Sequence, residues 1–255
     1  MNKKKLSVII PIYNAERFIK NNLEVMKISI NKYFKDPEII AVIDGATDNT
    51  EQEARKVKEI KVISYKNNQG KGNAIKEGFK NSTGEIITFI DCDMDLHPKL
   101  LKNLLPYLST ADMVVGSKRH PFSKLNYPMK RKIMSSGFSI YSKLILGTSL
   151  RDTQSGLKLM KREMLEIILP LVLVKRFAFD LELCFLAQKH NFRTVEAPIH
   201  ITYNFNNNTN NQSTIKLKHI KGMFLDVLAI RYRYTFLRYY QKQFHKMMGW
   251  SNNNH

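Results

Sequence analysis

Several things are scarce in this sequence, and each scarcity closes off a class of protein. Of 255 residues only two are cysteine, Cys92 and Cys184. They stand alone, without the spacing of a disulfide framework or a zinc site, which points to a reducing compartment. Long apolar runs are missing as well. The best one, Leu165 to Val174, is interrupted by Glu166 and Pro170, whereas a helix crossing a bilayer needs roughly 20 apolar residues. The opening "MNKKKLSVIIPIYN" has a basic tip but only a short apolar run before Pro11, so it reads as a strand and not a signal peptide. A soluble chain, or one lying on a surface, is expected. No glycine occurs in "IPIYNAE" after that first run, which excludes the G-x-G-x-x-G fingerprint of dinucleotide-binding dehydrogenases. Acidic residues are few: 22 Asp and Glu against 41 Lys and Arg give a formal charge of +19. An excess of this size favours an anionic partner such as nucleic acid, an acidic membrane or a phosphorylated substrate.

What the sequence does contain is a globular composition, 43% apolar and 25% charged, in a chain long enough for one large domain. The first half alternates buried strands with helices. Strands are expected at 6–12, 38–44, 60–65, 84–91 and 111–117. Helices are expected from about Glu16 to Tyr33, after "GATDNTEQEARKV", through "NQGKGNAIKEGFKNS" and between the last two strands. Asp48 or Thr50 is the candidate cap for the helix after the second strand. This order implies βαβ units and a mostly parallel sheet. Ligands of such sheets bind beyond the carboxyl ends of the strands. Tyr13, Asn14, Glu16, Asp44, Asp91 to Asp95 and Ser117 to His120 gather there.

The second half reads differently. "RKIMSSGFSIYSKLILG" (131–147) has one apolar face at helical spacing, ringed by Lys130, Arg131, Lys132 and Lys143. An Asn-rich loop (205–214) precedes a basic, aromatic-rich segment (215–248) that reads as one or two amphipathic helices. Residues 1–204 are taken as the catalytic domain, and 205–255 as the Asn-rich loop with the C-terminal helical segment.

"ITFIDCDMDLHP" carries the chemistry. An apolar strand ends in Asp91, Asp93 and Asp95, three like charges that repel one another. A divalent cation balances them well, since Mg²⁺ and Mn²⁺ take oxygen ligands and share them with substrate phosphates. On an extended segment residues two apart point the same way, which puts the three carboxylates on one face.

Taken in order, "VIIPIYNAE", "IDGATDNT", "NQGKGNAIKEG", "DCDMD", "GSKRH", "DTQSGLKLM" and "FAFDLEL" resemble a family 2 glycosyltransferase, within it the polyprenyl-phosphate sugar synthases, and most of all the dolichyl-phosphate glucosyltransferase branch. The resemblance spans about residues 6 to 240. It implies an α/β GT-A fold, a Rossmann-like, mostly parallel sheet flanked by helices with basic amphipathic helices at the C-terminus. It assigns Pro11, Tyr13, Glu16, Asp44, Lys71, Asp91, Cys92, Asp93 and Lys118 to the nucleotide. Among these, Asp44 is the acceptor for a base N–H, and Asp91 and Asp93 form the DxD pair. Asp93 and Asp95 take the Mg²⁺ or Mn²⁺. Arg131 and Ser135 take an acceptor phosphate, and together with Asp91 and Asp93 they make up the catalytic set.

Three positions depart from the relatives' pattern. Lys118 stands where an Arg is common, with Arg119 next to it. Ser136 stands where an Arg is frequent, which shifts weight to Lys130 or Lys132. The chain starts almost at its first strand, where eukaryotic relatives carry a membrane-spanning segment.

The implied reaction moves a sugar, glucose by branch resemblance, from a UDP-sugar to a dolichyl or polyprenyl phosphate with inversion. The acceptor is already an anion, so no general base is required, and Asp152 and Asp180 are read as structural or sugar-contacting. No Gln-x-x-Arg-Trp motif of the processive enzymes is present; the single Trp is Trp250. The expected location is the cytoplasmic face of a membrane, bound peripherally to its anionic surface through helices 131–147 and 215–248, with packing of both helices on the sheet as the alternative. Two competing functions stay open. One is a family 2 enzyme with a sugar-hydroxyl acceptor, which needs a base. The other is a basic nucleic-acid-binding protein, favoured by the charge and the Arg/Tyr segment 231–240 but disfavoured by the carboxylate cluster.

Overall fold

The computed structural model describes residues 5–125, 129–176, 178–201 and 217–249, with the side chains of 125, 129–136 and 217–220 outside the description. The Asn-rich loop and Trp250 therefore lie outside the described residues. β1 (Leu6–Ile12) and β2 (Glu38–Asp44) are almost continuously buried, as parallel strands covered on both faces must be. α1 (Ile19–Tyr33) connects them. α2 (Thr50–Arg55), β3 (Lys61–Tyr65), α3 (Lys71–Lys80), β4 (Ile86–Phe89) and β5 (Met113–Ser117) follow. Beyond them come β6 (Lys124–Leu125), α4 (Met129–Leu146), β7 (Lys158–Lys161), α5 (Arg162–Ile168), α6 (Phe179–Lys189), β8 (Thr194–Pro198), β9 (His200–Ile201), α7 (Leu217–Thr235) and α8 (Tyr239–Met247).

The main sheet has the order β3-β2-β1-β4-β7-β5-β8. It is parallel except for β7, which runs antiparallel to both β4 and β5. β6 and β9 form a separate parallel pair. The chain proceeds from β1 outward to β2 and β3, then returns to place β4 on the other side of β1. The ends of β1 and β4 thus flank a topological switch point, where open α/β sheets form their crevice. Alternation along the strands divides the core. Ile9, Ile40, Val42 and Ile87 pack with Ala74 and Ile75 of α3 and Phe179 of α6, while Val8, Ile10, Ala41 and Ile43 pack with Leu23 and Met26 of α1.

Some expectations are corrected. The first helix begins at Ile19, after a turn that occupies Glu16. β4 ends at Phe89, so the carboxylates are not on a strand. The helix expected before β5 is instead a pair of 3₁₀ segments, 98–103 and 105–109, each with a proline in its first positions. Pro106 has no N–H to carry an α-helical ladder through that region. Asn49, neither Asp48 nor Thr50, holds the cap position of α2 and makes no side-chain cap bond; Asp48, one residue before it, accepts the Thr50 N–H on Oδ1 at 3.0 Å.

The second-half helices pack on the body and also keep an exposed apolar line. Phe138 and Tyr141 of α4 meet Phe224 of α7 with ring centroids 5.4 and 4.6 Å apart, and Val227 and Ile230 enter the core. On the outer side Ile140 and Leu144 of α4 are 61% and 78% exposed, and Leu225, Leu228 and Tyr232 of α7 are exposed with them. α7 and α8 are separated at Arg238, whose φ of 46° is left-handed.

Candidate active site

The loops after β1 and β2 are laced together. Asn14, at φ 45°, accepts the Thr47 N–H at 2.9 Å. Ala15 N–H donates to Thr50 Oγ at 2.6 Å, and Glu16 Oε2 accepts the Asn49 N–H at 2.9 Å. Glu16 is placed as a brace between the two loops. Asp44, buried at the end of β2, accepts the Gln69 N–H at 2.7 Å on one oxygen and the Gly70 N–H at 2.8 Å on the other. A carboxylate has about four acceptor sites, so each oxygen keeps capacity for a ligand. Gly70 adopts φ 92°, and a Cβ on it would stand 2.6 Å from the Lys175 carbonyl oxygen; only glycine fits this turn. The structure brings Pro11, Tyr13, Asp44, Lys71, Asp91 and Arg176 around one open cavity of about 420 Å³.

A second, smaller cavity of about 100 Å³ adjoins it at Asp91 and is lined by Asp91, Asp93, Asp95, Lys118, Gln154 and Gly156. The three carboxylates line this one cavity, from a turn and not from a pleat. Met94 takes a left-handed φ of 63°, and the Asp95 N–H folds back to Asp93 Oδ1 at 3.1 Å. Loss of solvation, reinforced by the Asp95 and Asp91 charges, raises the Asp93 carboxyl above the usual range. Among the described residues no three His, Cys, Asp or Glu side chains form a cage that holds a metal by themselves. A pocket with Asp93 and Asp95 oxygens on its wall suits a hard cation whose coordination is completed by phosphate oxygens. Gly156 makes room for Asp91: a Cβ there would lie 3.0 Å from Asp91 Oδ2.

Behind Asp91 runs a line of alternating charge. Lys71 Nζ, from the first residue of α3, lies 2.8 Å from Asp91 Oδ1 and 3.3 Å from Asp180 Oδ2. Asp180 Oδ1 lies 2.7 Å from Lys158 Nζ, and Lys158 also donates to the Ser155 carbonyl. Burial opposes charge on both Asp180 and Lys71. The neighbouring lysines outweigh it and hold Asp180 below the usual carboxylate range, and the two carboxylates hold Lys71 above its usual value. Asp180 is thus a buried ion partner. Asp152 is also engaged: its Oδ2 accepts the Lys118 N–H at 2.9 Å, and its own N–H donates to Glu196 at 2.9 Å.

Other expected residues fall elsewhere. The Cys92 carbonyl accepts Asn22 Nδ2 at 2.8 Å, and the residue packs against the α1 side of the core; burial pushes its thiol up to about 12. Lys118 lines the carboxylate pocket, whereas the Arg119 N–H donates to Ser117 Oγ at 3.2 Å. Arg131 and Ser135 fall one turn apart on α4, and their side chains, like those of Lys130, Lys132 and Ser136, lie outside the described residues. The structure adds Arg176, Gln154 and Lys158. Arg176 directly precedes the quoted "FAFDLEL", and Gln154 lies within the quoted "DTQSGLKLM". Lys158 sits in the quoted "DTQSGLKLM", and a lysine between buried apolar neighbours was its signal.

The sequence pattern described as Glycosyl transferase family 2 matches residues 7–169. A dolichyl-phosphate beta-glucosyltransferase of Dictyostelium discoideum is 30% identical over 90% of this chain and 74% of its own length. An undecaprenyl-phosphate mannosyltransferase of Micrococcus luteus is 27% identical over 76% of this chain and 82% of its own. Among solved structures, glucosyl-3-phosphoglycerate synthase from Mycobacterium tuberculosis, in complex with Mn²⁺, uridine diphosphate and phosphoglyceric acid, superposes with a TM-score of 0.65. It is 19% identical and covers 90% of this chain and 78% of that one, so the GT-A fold is shared. With the matched pattern covering most of the chain, the protein belongs to glycosyl transferase family 2 and is a glycosyltransferase.

Proposed function

We propose that this enzyme transfers glucose from UDP-glucose to a dolichyl or other polyprenyl phosphate, with inversion at the anomeric carbon. The observation that carries the acceptor class is the state of the crevice carboxylates. Asp180 is locked between two lysines, so it is not poised as a general base. A sugar-hydroxyl acceptor needs one; a lipid phosphate is already an anion near neutral pH. Positioning and charge neutralisation then suffice. The relatives that act on dolichyl and undecaprenyl phosphate support the same acceptor.

In this reading the base of the donor docks by Tyr13 and Pro11, with Asp44 accepting its N–H. Lys71 and Arg176, from the larger cavity, and Lys118, from the smaller one, supply cations for the diphosphate. Asp93 and Asp95 hold Mg²⁺ or Mn²⁺, which supplies charge neutralisation for the departing diphosphate when bound. Arg131 and Ser135 grip the acceptor phosphate at the start of α4. The exposed line on α4 and α7 faces an anionic membrane surface, with Lys143 and Arg231 exposed beside it. We place the enzyme peripherally on the cytoplasmic face. No described helix is long and apolar enough to cross a membrane.

The test is transfer by purified protein from radiolabelled UDP-glucose to a short-chain polyprenyl phosphate with Mg²⁺ or Mn²⁺. Label entering the organic phase, and lost with EDTA, is expected. Transfer only from another nucleotide sugar corrects the donor. Transfer only to a sugar hydroxyl overturns the acceptor.

A further inference from the structure

Lys158 is the least expected residue in the fold. It sits in β7 beside Leu159 and Met160, is 1% exposed, and does not reach either cavity. A buried ammonium is costly unless paired, and a buried ion pair is weak ground for stability, since apolar replacements of similar volume are often neutral or better. Folding alone therefore gives little reason for a lysine at this position.

Its partner explains more. Asp180, in the first turn of α6, receives Lys158 on Oδ1 at 2.7 Å and presents Oδ2 to Lys71 at 3.3 Å. Lys71 is 28% exposed and reaches Asp91 at 2.8 Å. An ammonium has three N–H groups. Two are directed at Asp180 and Asp91, which leaves one for a ligand in the cavity that Lys71 lines. With Asp91 as its sole carboxylate, the flexible lysine stem would follow that side chain. A second carboxylate on its inner side fixes the nitrogen between two anchors. Lys158 in turn satisfies Asp180, so the inner anchor stays ionised and stays in place.

We propose that Lys158 and Asp180 are positioning residues that hold Lys71 in register with Asp91 and so set affinity for a nucleoside diphosphate. The inference rests on the reading of the crevice as the donor site. Neither residue of the pair touches the donor; both act through Lys71.

Asp180→Asn alone strands a buried lysine and is expected to destabilise the protein, which tells nothing about positioning. The informative variant is the double Lys158→Met/Asp180→Asn, which removes both buried charges at similar volume. It is expected to melt as the parent does. Its affinity for UDP with Mn²⁺, measured by calorimetry, is expected to fall roughly tenfold, the worth of one hydrogen bond to a charged group. KM for UDP-glucose should rise alongside while KM for the lipid phosphate stays unchanged. A folded double variant that binds UDP as tightly as the parent overturns the proposal and leaves the donor site intact. A parent protein that binds no nucleoside diphosphate overturns the donor site itself, and the proposal with it.

Discussion

The Tyr240 hydroxyl donates to the Glu182 carboxylate, and both residues are fully buried. Tyr240 belongs to α8, at the end of the chain, and Glu182 to α6, under the crevice. The other Glu182 oxygen accepts the Leu173 and Val174 N–H groups at 2.8 and 2.6 Å. At the next residue the Lys175 carbonyl accepts the Gly72 N–H at 3.0 Å, and Arg176 after it lines the larger cavity. One carboxylate thus ties the C-terminal helices to the loop that shapes the proposed donor site.

Tyr240→Phe tests that tie. It removes a donor from a buried carboxylate whose pKa burial already raises. The loss is expected to be about 1–3 kcal/mol in unfolding free energy. A several-fold rise in KM for the donor should accompany it, with KM for the acceptor unmoved. Urea unfolding together with donor and acceptor titrations reads both effects. A pure stability loss with unchanged KM confines Tyr240 to the fold.

Asp93→Asn should separate function from stability. Burial, reinforced by the Asp95 and Asp91 charges, holds Asp93 above its usual range, so its charge strains the metal-free protein. Neutralising it is expected to leave the melting temperature equal or higher. Transfer should fall by about a hundredfold or more, on the scale of lost charge stabilisation at a reacting centre. Mn²⁺ with UDP should raise the melting temperature of the parent by linkage, and much less that of the variant.

β1 and β2 are legible residue for residue, because buried parallel strands are apolar runs and here they end at turn-forming Asn14 and Gly45. β7 is not legible. It is four residues long, carries a lysine at each end, and its antiparallel place between β4 and β5 is a property of the sheet. The crevice residues that punctuate strand ends, Tyr13, Asp44 and Asp91, were readable for the same reason as the strands. Gln154 lies within the quoted "DTQSGLKLM" and Arg176 directly before "FAFDLEL", but no strand end or periodicity says that either loop reaches the crevice. Alternate spacing is the strand signature, so the carboxylate turn reads as an extended segment in the sequence; the left-handed Met94 that folds it has no such signature.

Gly156→Ala is a small change with a defined target. Its Cβ would meet Asp91 Oδ2 at 3.0 Å, and the carboxylate is the softer of the two. Asp91 is expected to shift a few tenths of an ångström away, loosening its contact with Lys71. Folding should change by less than about 1 kcal/mol, as for a mild overpacking. Affinity for UDP with Mn²⁺ should weaken measurably in calorimetry. Unaltered affinity would mean that the position of Asp91 is not critical to the donor.

Part of the acid sensitivity should be traceable to Asp112, one of several carboxylates held below their usual range. Its Oδ1 lies 3.0 Å from Lys161 Nζ, and its Oδ2 accepts the Arg193 N–H at 2.9 Å. Partial burial opposes its charge, yet these partners hold its pKa below the usual range. Between the folded value and the unfolded value of about 4 the unfolded chain binds more protons, so stability rises with pH across that window. The contribution is complete above the window and disappears as pH falls through the folded value. Asp112→Asn should therefore lower stability at neutral pH by about 1 kcal/mol and make little difference in strong acid. Urea midpoints taken across the acid range distinguish this from a pH-independent loss.

The apolar line on α4 and α7 makes the most direct claim about where the enzyme works. Ile140, Leu144, Leu225 and Leu228 are exposed on a chain whose net charge is +19. Leu144→Glu combined with Leu228→Glu removes one exposed and one half-covered side chain, so melting should change little, near the small range of surface substitutions. On vesicles containing anionic lipid the variant should bind roughly tenfold more weakly, since it loses apolar insertion and gains repulsion from the lipid charge. Transfer to acceptor embedded in those vesicles should fall with binding, while transfer to a short-chain acceptor in detergent-free solution persists. The two acceptors together decide the matter. Equal losses on both would place these leucines in catalysis or folding, and equal retention would remove the membrane from this face of the molecule.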